Sequence, residues 1–221
     1  MTPVLAKIFS NFFRDRAKSD PLAARKGILP GWLEQARIKA FEEIPEENVH
    51  LQKGSPWDLL TGKVYEVFNF YLTVKLVIYS DETILWLDHH TSNSDYEVFM
   101  QRENLLSWYP DRKDQLIQLL VETKFNFLGR PRLISSAVDI PQQKNENEIE
   151  ESRKRLTRVT KQIFPPTYVQ NLDGSVRLQF CIWTLILGKI FAVDCTLGPG
   201  SVFSYHGELL TRDVGDYVLP R

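Results

Sequence analysis

Apolar residues are densest between Val176 and Leu197, where two runs rich in β-branched and aromatic side chains flank Gly188-Lys189. Ile182, Trp183 and Thr184 precede the break, and Ile190, Phe191 and Val193 follow it. This pattern predicts a buried β-hairpin with glycine opening the turn. A single helix is the competing reading, and it sets Gly188 mid-helix at a cost of about 1 kcal/mol against alanine. Turn length fixes the register. A two-residue Gly188-Lys189 turn pairs Leu187 with Ile190 and puts Cys181 and Cys195 on opposite faces. A three-residue Leu187-Gly188-Lys189 loop pairs Ile186 with Ile190 and sets the cysteines directly across from each other.

Elsewhere the period changes several times. Val4, Leu5, Ile8, Phe9, Phe12 and Phe13 recur at helical spacing within residues 2–18, with Lys7, Asn11 and Asp15 on the wet side. A second helix is predicted from Trp32 to Glu43, ended by Ile44-Pro45. Residues 45–62 carry Pro45, Gly54, Pro56 and Gly62 and read as loop, with a short turn over Trp57-Asp58-Leu59-Leu60. Val64 to Tyr79 is rich in Val, Tyr, Phe and Ile without Gly or Pro, which predicts a strand. Ser80-Asp81-Glu82 turns the chain into a second strand, Thr83 to Asp88.

Helices are expected over Asp95–Trp108 and Arg112–Phe125, then a short strand at Leu133–Ser136. Residues 141–148, PQQKNENE, read as a polar, mobile linker into a helix over Ile149–Ile163. Tyr168–Gln170, the turn Asn171-Leu172-Asp173-Gly174, the central hairpin and Val202–Leu210 complete the pattern. Strands joined by such short turns pair antiparallel. The predicted class is α+β, an antiparallel sheet made of a C-terminal meander plus a central hairpin, packed against flanking helices. Residues 1–221 read as a single domain whose N-terminal part, 1–62, is mainly helical.

Bulk composition narrows the function without naming it. With 43% hydrophobic and 25% charged residues, the chain is an ordinary globular sequence. A formal net charge of −1 gives no bulk attraction to nucleic acid or a membrane surface. Two cysteines are too few for a disulfide framework, so buried free thiols, a reducing compartment and a cytoplasmic location are expected. No secretory leader and no membrane span are read from the sequence. No cofactor is expected.

Four constellations could carry chemistry. Asp88-His89-His90 ends a predicted strand and resembles the triplet that names the DHH phosphoesterases. That resemblance implies binding of a divalent metal pair, although residues 1–62 lack the family's aspartate-rich companion motif. Pro110-Asp111 followed by Glu122-Thr123-Lys124 is similar to the PD-(D/E)xK nuclease signature. There the resemblance implies magnesium held by Asp111 and Glu122, with Lys124 helping to activate water. The signature needs Glu122 and Lys124 on one face of a strand, whereas on a helix they point about 200° apart.

Lys154, Arg158 and Lys161 fall on one helical face within the basic run 153–161, a candidate anion or nucleic-acid contact, with Glu148, Glu150 and Glu151 preceding them. Trp183, Tyr205 and His206 are candidates for lining a ligand pocket on the sheet. Each catalytic pattern lacks a companion it needs. The expected function is therefore a non-catalytic binding or assembly protein presenting a sheet-face pocket or surface to a small ligand or a protein partner. The alternatives are a metal-dependent phosphoesterase or nuclease on either acidic set, and anion binding by the basic helix.

Overall fold

A computed structural model describes residues 49–69, 72–81, 83–87, 93–125, 131–144 and 146–218. The helices predicted over 2–18 and 32–43, and Asp88, His89 and His90, lie outside the described residues. The chain divides into two compact units, Met1–Trp57 with Thr61–Trp86, and Asp58–Leu60 with Leu87–Arg221.

The first unit is built on an antiparallel sheet in the order β1 (Val49–Leu51), β2 (Lys63–Asn69), β3 (Leu72–Ile78) and β4 (Ile84–Leu87). β1 lies in the stretch read as loop, because three residues are too few to show a period. β2 and β3 pair with Asn69 against Leu72, so the single strand predicted over Val64–Tyr79 is a hairpin. Phe70-Tyr71 between them supplies none of the usual turn residues, hence no signal. The turn at Asp81 is as expected: its carboxylate accepts the Thr83 N–H at 3.1 Å, and Tyr79 N–H reaches Thr83 O at 2.9 Å. Buried Lys75 sits 3.2 Å from Glu66 and 4.4 Å above the Trp57 ring, so its charge is compensated.

The second unit carries the predicted hairpin and meander. β6 (Thr167–Gln170), β7 (Val176–Thr184), β8 (Ile190–Leu197) and β9 (Phe203–Thr211) follow one another as antiparallel neighbours. β5 (Pro131–Ile134) joins the same edge of β7 as β6, further along the strand. The order across the sheet is β5-β7-β8-β9, with β6 beside β7. The helices are α1 (Asn93–Arg102), α2 (Lys113–Thr123) and α3 (Glu146–Val159).

Helices lie on both faces of this sheet, and the burial of β7 records where. From Val176 to Phe180, positions alternate between buried and more exposed; from Phe180 to Thr184 all are buried. On one face, Tyr96 of α1 packs on Phe203 with ring centroids 5.0 Å apart, and Phe125, just beyond α2, packs on Phe180 at 5.8 Å. Tyr168 Oη of β6 donates to Asp114 at 2.7 Å, tying the start of α2 to the sheet. On the other face, Cys181, Trp183, Ile190 and Ile134 join Val159 and Ile163 around α3. That second cover spans only the half of β7 nearest the hairpin loop, hence the change of period.

The hairpin loop is longer than either predicted turn. Trp183 pairs with Ile190, Cys181 with Ala192 and Cys195 with Leu178, so the buried, free cysteines occupy opposite faces. Residues 185–189 form the loop, with Leu187 and Gly188 at φ 62° and 48° and the hydroxyl of Thr184, at the end of β7, bonded to Ile186 O at 2.9 Å.

Two helix predictions shift. The helix expected over Asp95–Trp108 stops at Arg102; Asn104 takes a left-handed conformation and a 3-10 turn, Leu105–Trp108, follows. α3 begins at Glu146, so part of the polar linker at 141–148 is helical. Its remainder is tethered: Pro141 O accepts the Asp216 N–H at 2.9 Å and Lys144 pairs with Asp216 at 2.7 Å, while in the first turns of α3 Glu148 accepts from Tyr217 at 3.2 Å. Polar composition there reflects contacts to the C-terminal segment, which a local reading does not see.

Candidate functional site

β9 is the outermost strand of the second sheet. It is reached through Gly198 and a 3-10 turn over Pro199–Ser201, where Gly200 takes φ 74° and Gly198 N–H bonds Val202 O at 2.7 Å. Its first residue, Phe203, is buried against Tyr96, and its backbone N–H reaches Glu97 at 3.4 Å. From there outward the cover ends: every residue from Ser204 to Leu209 is exposed. A strand with one face on a core alternates; this one does not, so neither of its faces is fully covered over that stretch. Tyr205 and Leu209 stay 41% and 48% exposed on the side that carries the α1–α2 core further in.

The register assigns the side chains. Tyr205 lies opposite Cys195, Gly207 opposite Val193 and Leu209 opposite Phe191, all on the α1–α2 side. His206 lies opposite Asp194 and Glu208 opposite Ala192, on the α3 side. Tyr205 is steadied by the edge of Phe125, at a centroid distance of 5.4 Å, and by Lys124 Nζ, 5.6 Å from its ring. On the other side Asp194 accepts from Arg177 Nε at 2.9 Å and from Gln179 Nε2 at 3.0 Å. Arg177 holds the Asp194 carboxyl below the usual carboxylate range; partial desolvation opposes this, and Gln179 and the nearby His206 add to it.

Trp183, Tyr205 and His206 are not brought together. Trp183 is fully buried on the α3 side, its indole N–H donated to Val214 O at 2.9 Å, while Tyr205 is on the opposite face. His206 shares the face of Trp183 but is exposed, near the polar cluster of Arg177, Gln179 and Asp194.

Glu122 lies in the last turn of α2, where it accepts from Gln118 at 2.9 Å, and Lys124 follows the helix end. Lys124 is buried, with its ammonium 5.2 Å from the Tyr96 ring. The backbone here is helical rather than extended, unlike the strand that the nuclease signature uses, and Asp111 precedes the helix. Among the described residues no cluster of three or more His, Cys, Asp or Glu is placed to hold a metal ion. No described helix is long and apolar enough to cross a membrane.

The basic run divides. Lys154 is paired within α3 to Glu150 at 3.0 Å and Glu151 at 3.3 Å, contacts that raise its pKa. Arg155 turns instead to Asp213. Regular helix ends at Val159, so Lys161 sits in a 3-10 turn and leaves the row that Lys154 and Arg158 define.

A feature with no sequence signal is the C-terminal segment, residues 212–218. Asp213 N–H and Val214 N–H bond Leu187 O and Gly188 O at 3.0 and 3.1 Å, and Val218 N–H bonds Leu185 O at 2.9 Å. Gly215 N–H donates to Ser152 Oγ at 3.0 Å. The segment thereby closes over the hairpin loop and α3. Beside it, a pocket of about 350 Å³ is lined by Val138, Ile149 and Leu156 with Gln142, Gln143 and Arg153. Its lining comes from residues 137–156 with Gly215, and apart from Arg153, which opens the basic run, none of them is a candidate from the sequence. Neither known protein families, nor curated proteins, nor solved structures give a match to this chain.

Proposed function

We propose that this chain is a non-catalytic binding or assembly protein that receives an extended segment of a protein partner along the outer edge of β9. The observation that carries the reading is the uninterrupted exposure from Ser204 to Leu209 on a strand that, among the described residues, pairs only with β8. An open strand edge offers a row of backbone donors and acceptors, and strand addition draws its affinity from those groups. β9 carries no Lys, Arg or Pro between Phe203 and Thr211, the residues that commonly block such an edge. The other edge is divided between short β5 and β6, and β5 opens with Pro131-Arg132. A cytoplasmic setting belongs to the same proposal, supported by two buried free thiols.

The test is amide hydrogen exchange with a soluble peptide of alternating valine and threonine, flanked by lysines. Its control is the same peptide with methylated backbone nitrogens. The expected result is slowed exchange confined to residues 203–211 with the first peptide alone. No change over β9 up to the solubility limit of the peptide, in a chain dilute enough to be monomeric, would overturn the proposal.

A further inference from the structure

We infer that the strand received by β9 is β9 of a second copy, paired antiparallel about a two-fold axis at Gly207. The inference rests on the proposed edge-binding function and names its occupant. Its basis is the order of side chains along the exposed stretch, Tyr205-His206-Gly207-Glu208-Leu209. In an antiparallel pair centred on Gly207, His206 of one copy stands directly opposite Glu208 of the other, and the contact occurs twice by symmetry. Base thus meets acid on the α3 side of the sheet. On the α1–α2 side, Tyr205 stands opposite Leu209 of the second copy, again twice, an aromatic–aliphatic pair of the kind that stabilises neighbouring strands. Gly207 meets Gly207 at the axis, where a Cβ would touch nothing within 4 Å.

Other registers lose this match. Centring the axis on His206 places histidine against histidine and Tyr205 against Gly207. Centring it on Glu208 puts the two carboxylates face to face, and like charges directly opposite each other are destabilising. The backbone permits the Gly207 register as well. The irregularity of β9 falls beyond Leu209, where Leu209 pairs with Phe191 but Thr211 with Ile190, so 205–209 is regular strand. His206 would then lie between Asp194 of its own sheet and Glu208 of the second copy, in one row across the interface. The pairing uses one patch on both copies, so it closes at a dimer and does not propagate. It buries little beyond one strand, so the association is reversible and concentration-dependent.

The test combines oligomeric state with two sets of variants of the full chain. Sedimentation over a wide concentration range should show a monomer–dimer equilibrium. Gly207→Cys should form a disulfide-linked dimer under mild oxidation, because directly opposed residues have Cα atoms about 4.5–5.5 Å apart, within the range of about 4.4–6.8 Å that a disulfide spans. Ser204→Cys should not, its two copies lying about 20 Å apart along the strands. His206→Lys should retain the dimer, whereas His206→Lys with Glu208→Lys sets lysine against lysine twice and should weaken it about tenfold or more.

A chain that stays monomeric at all concentrations overturns the inference. So does a dimer that Gly207→Cys fails to trap, or one indifferent to the double substitution. If the alternating peptide still protects β9 in a monomeric chain, the edge-binding reading stands and only the second copy is rejected. If neither partner engages β9, both fail.

Discussion

Gly188→Ala tests whether the C-terminal segment holds the hairpin loop. Gly188 has φ 48°, and a methyl placed there would meet Val214 O, lie 2.8 Å from Val214 N and 2.9 Å from Tyr217 Cδ1. Two costs follow. A side chain in the left-handed region costs about 1–2 kcal/mol, and forcing atoms into a packed site costs about 1–3 kcal/mol more. Gly200→Ala supplies the comparison, since Gly200 has φ 74° but nothing within 4 Å of the added methyl. It should show only the first cost, and the entropy lost by the unfolded chain is common to both variants. Gly188→Ala is therefore expected to lie about 1–3 kcal/mol below Gly200→Ala. Urea unfolding followed by tryptophan fluorescence measures this as a lower midpoint at unchanged slope. The emission of Trp183 should also change in the folded state, because Val214 O accepts its indole N–H. Equal midpoints for the two variants would refute the argument that the 212–218 segment bears on the loop.

Trp183→Phe leaves the buried Val214 carbonyl without its indole donor, and a loss of about 1–3 kcal/mol is expected in the same unfolding experiment; an unchanged midpoint would count against that hydrogen bond. Asp194 has a depressed pKa in the fold, so its contribution is present above the unfolded-state value near 3.9 and is lost as pH falls through the folded one. The stability gap between wild type and Asp194→Asn should accordingly be small but measurable near neutrality and close on acidification, whereas a gap constant with pH would contradict the Arg177–Asp194 pairing. Burial pushes the thiols of Cys181 and Cys195 up, so neither should react with a thiol reagent in the folded protein and both should react in denaturant. Rapid labelling of either residue under native conditions would show that its half of the sheet opens readily.

The meander was legible because its turns carry Asn, Asp and Gly, and because β7 and β8 are too apolar to be anything but core. What the sequence hid is non-local. The β2–β3 reversal has no turn residue between Asn69 and Leu72, so periodicity ran through it. The central hairpin register depends on a loop whose geometry is set partly by Val214 and Val218, which lie well downstream. For the same reason the sequence offers Trp183 as a pocket candidate although core is the readier reading, and the acceptor of its N–H shows where it sits. The candidate surface is half visible in the sequence: Tyr205 and His206 stand out as residues, but their separation onto opposite faces follows from the β8–β9 register alone.

The way the helices are distributed explains why β9 is open and which positions can probe it cleanly. α3 covers its face only near the hairpin loop, and the α1–α2 layer reaches β9 at Phe203 and, through Phe125 and Lys124, touches Tyr205. Tyr205 therefore belongs to two systems at once, the core behind it and the edge in front. A change there would mix lost packing with lost association. His206 has a similar tie through Asp194, which is why lysine, which sets a cation beside that carboxylate, is the informative replacement. Gly207 and Glu208 have neither attachment: a Cβ at Gly207 meets open space and Glu208 is exposed opposite Ala192. Substitutions at these two positions should leave the unfolding midpoint of the dilute monomer within about 0.5 kcal/mol of wild type. An effect on association at Gly207 or Glu208, with stability untouched, is then attributable to the edge itself rather than to the sheet that supports it.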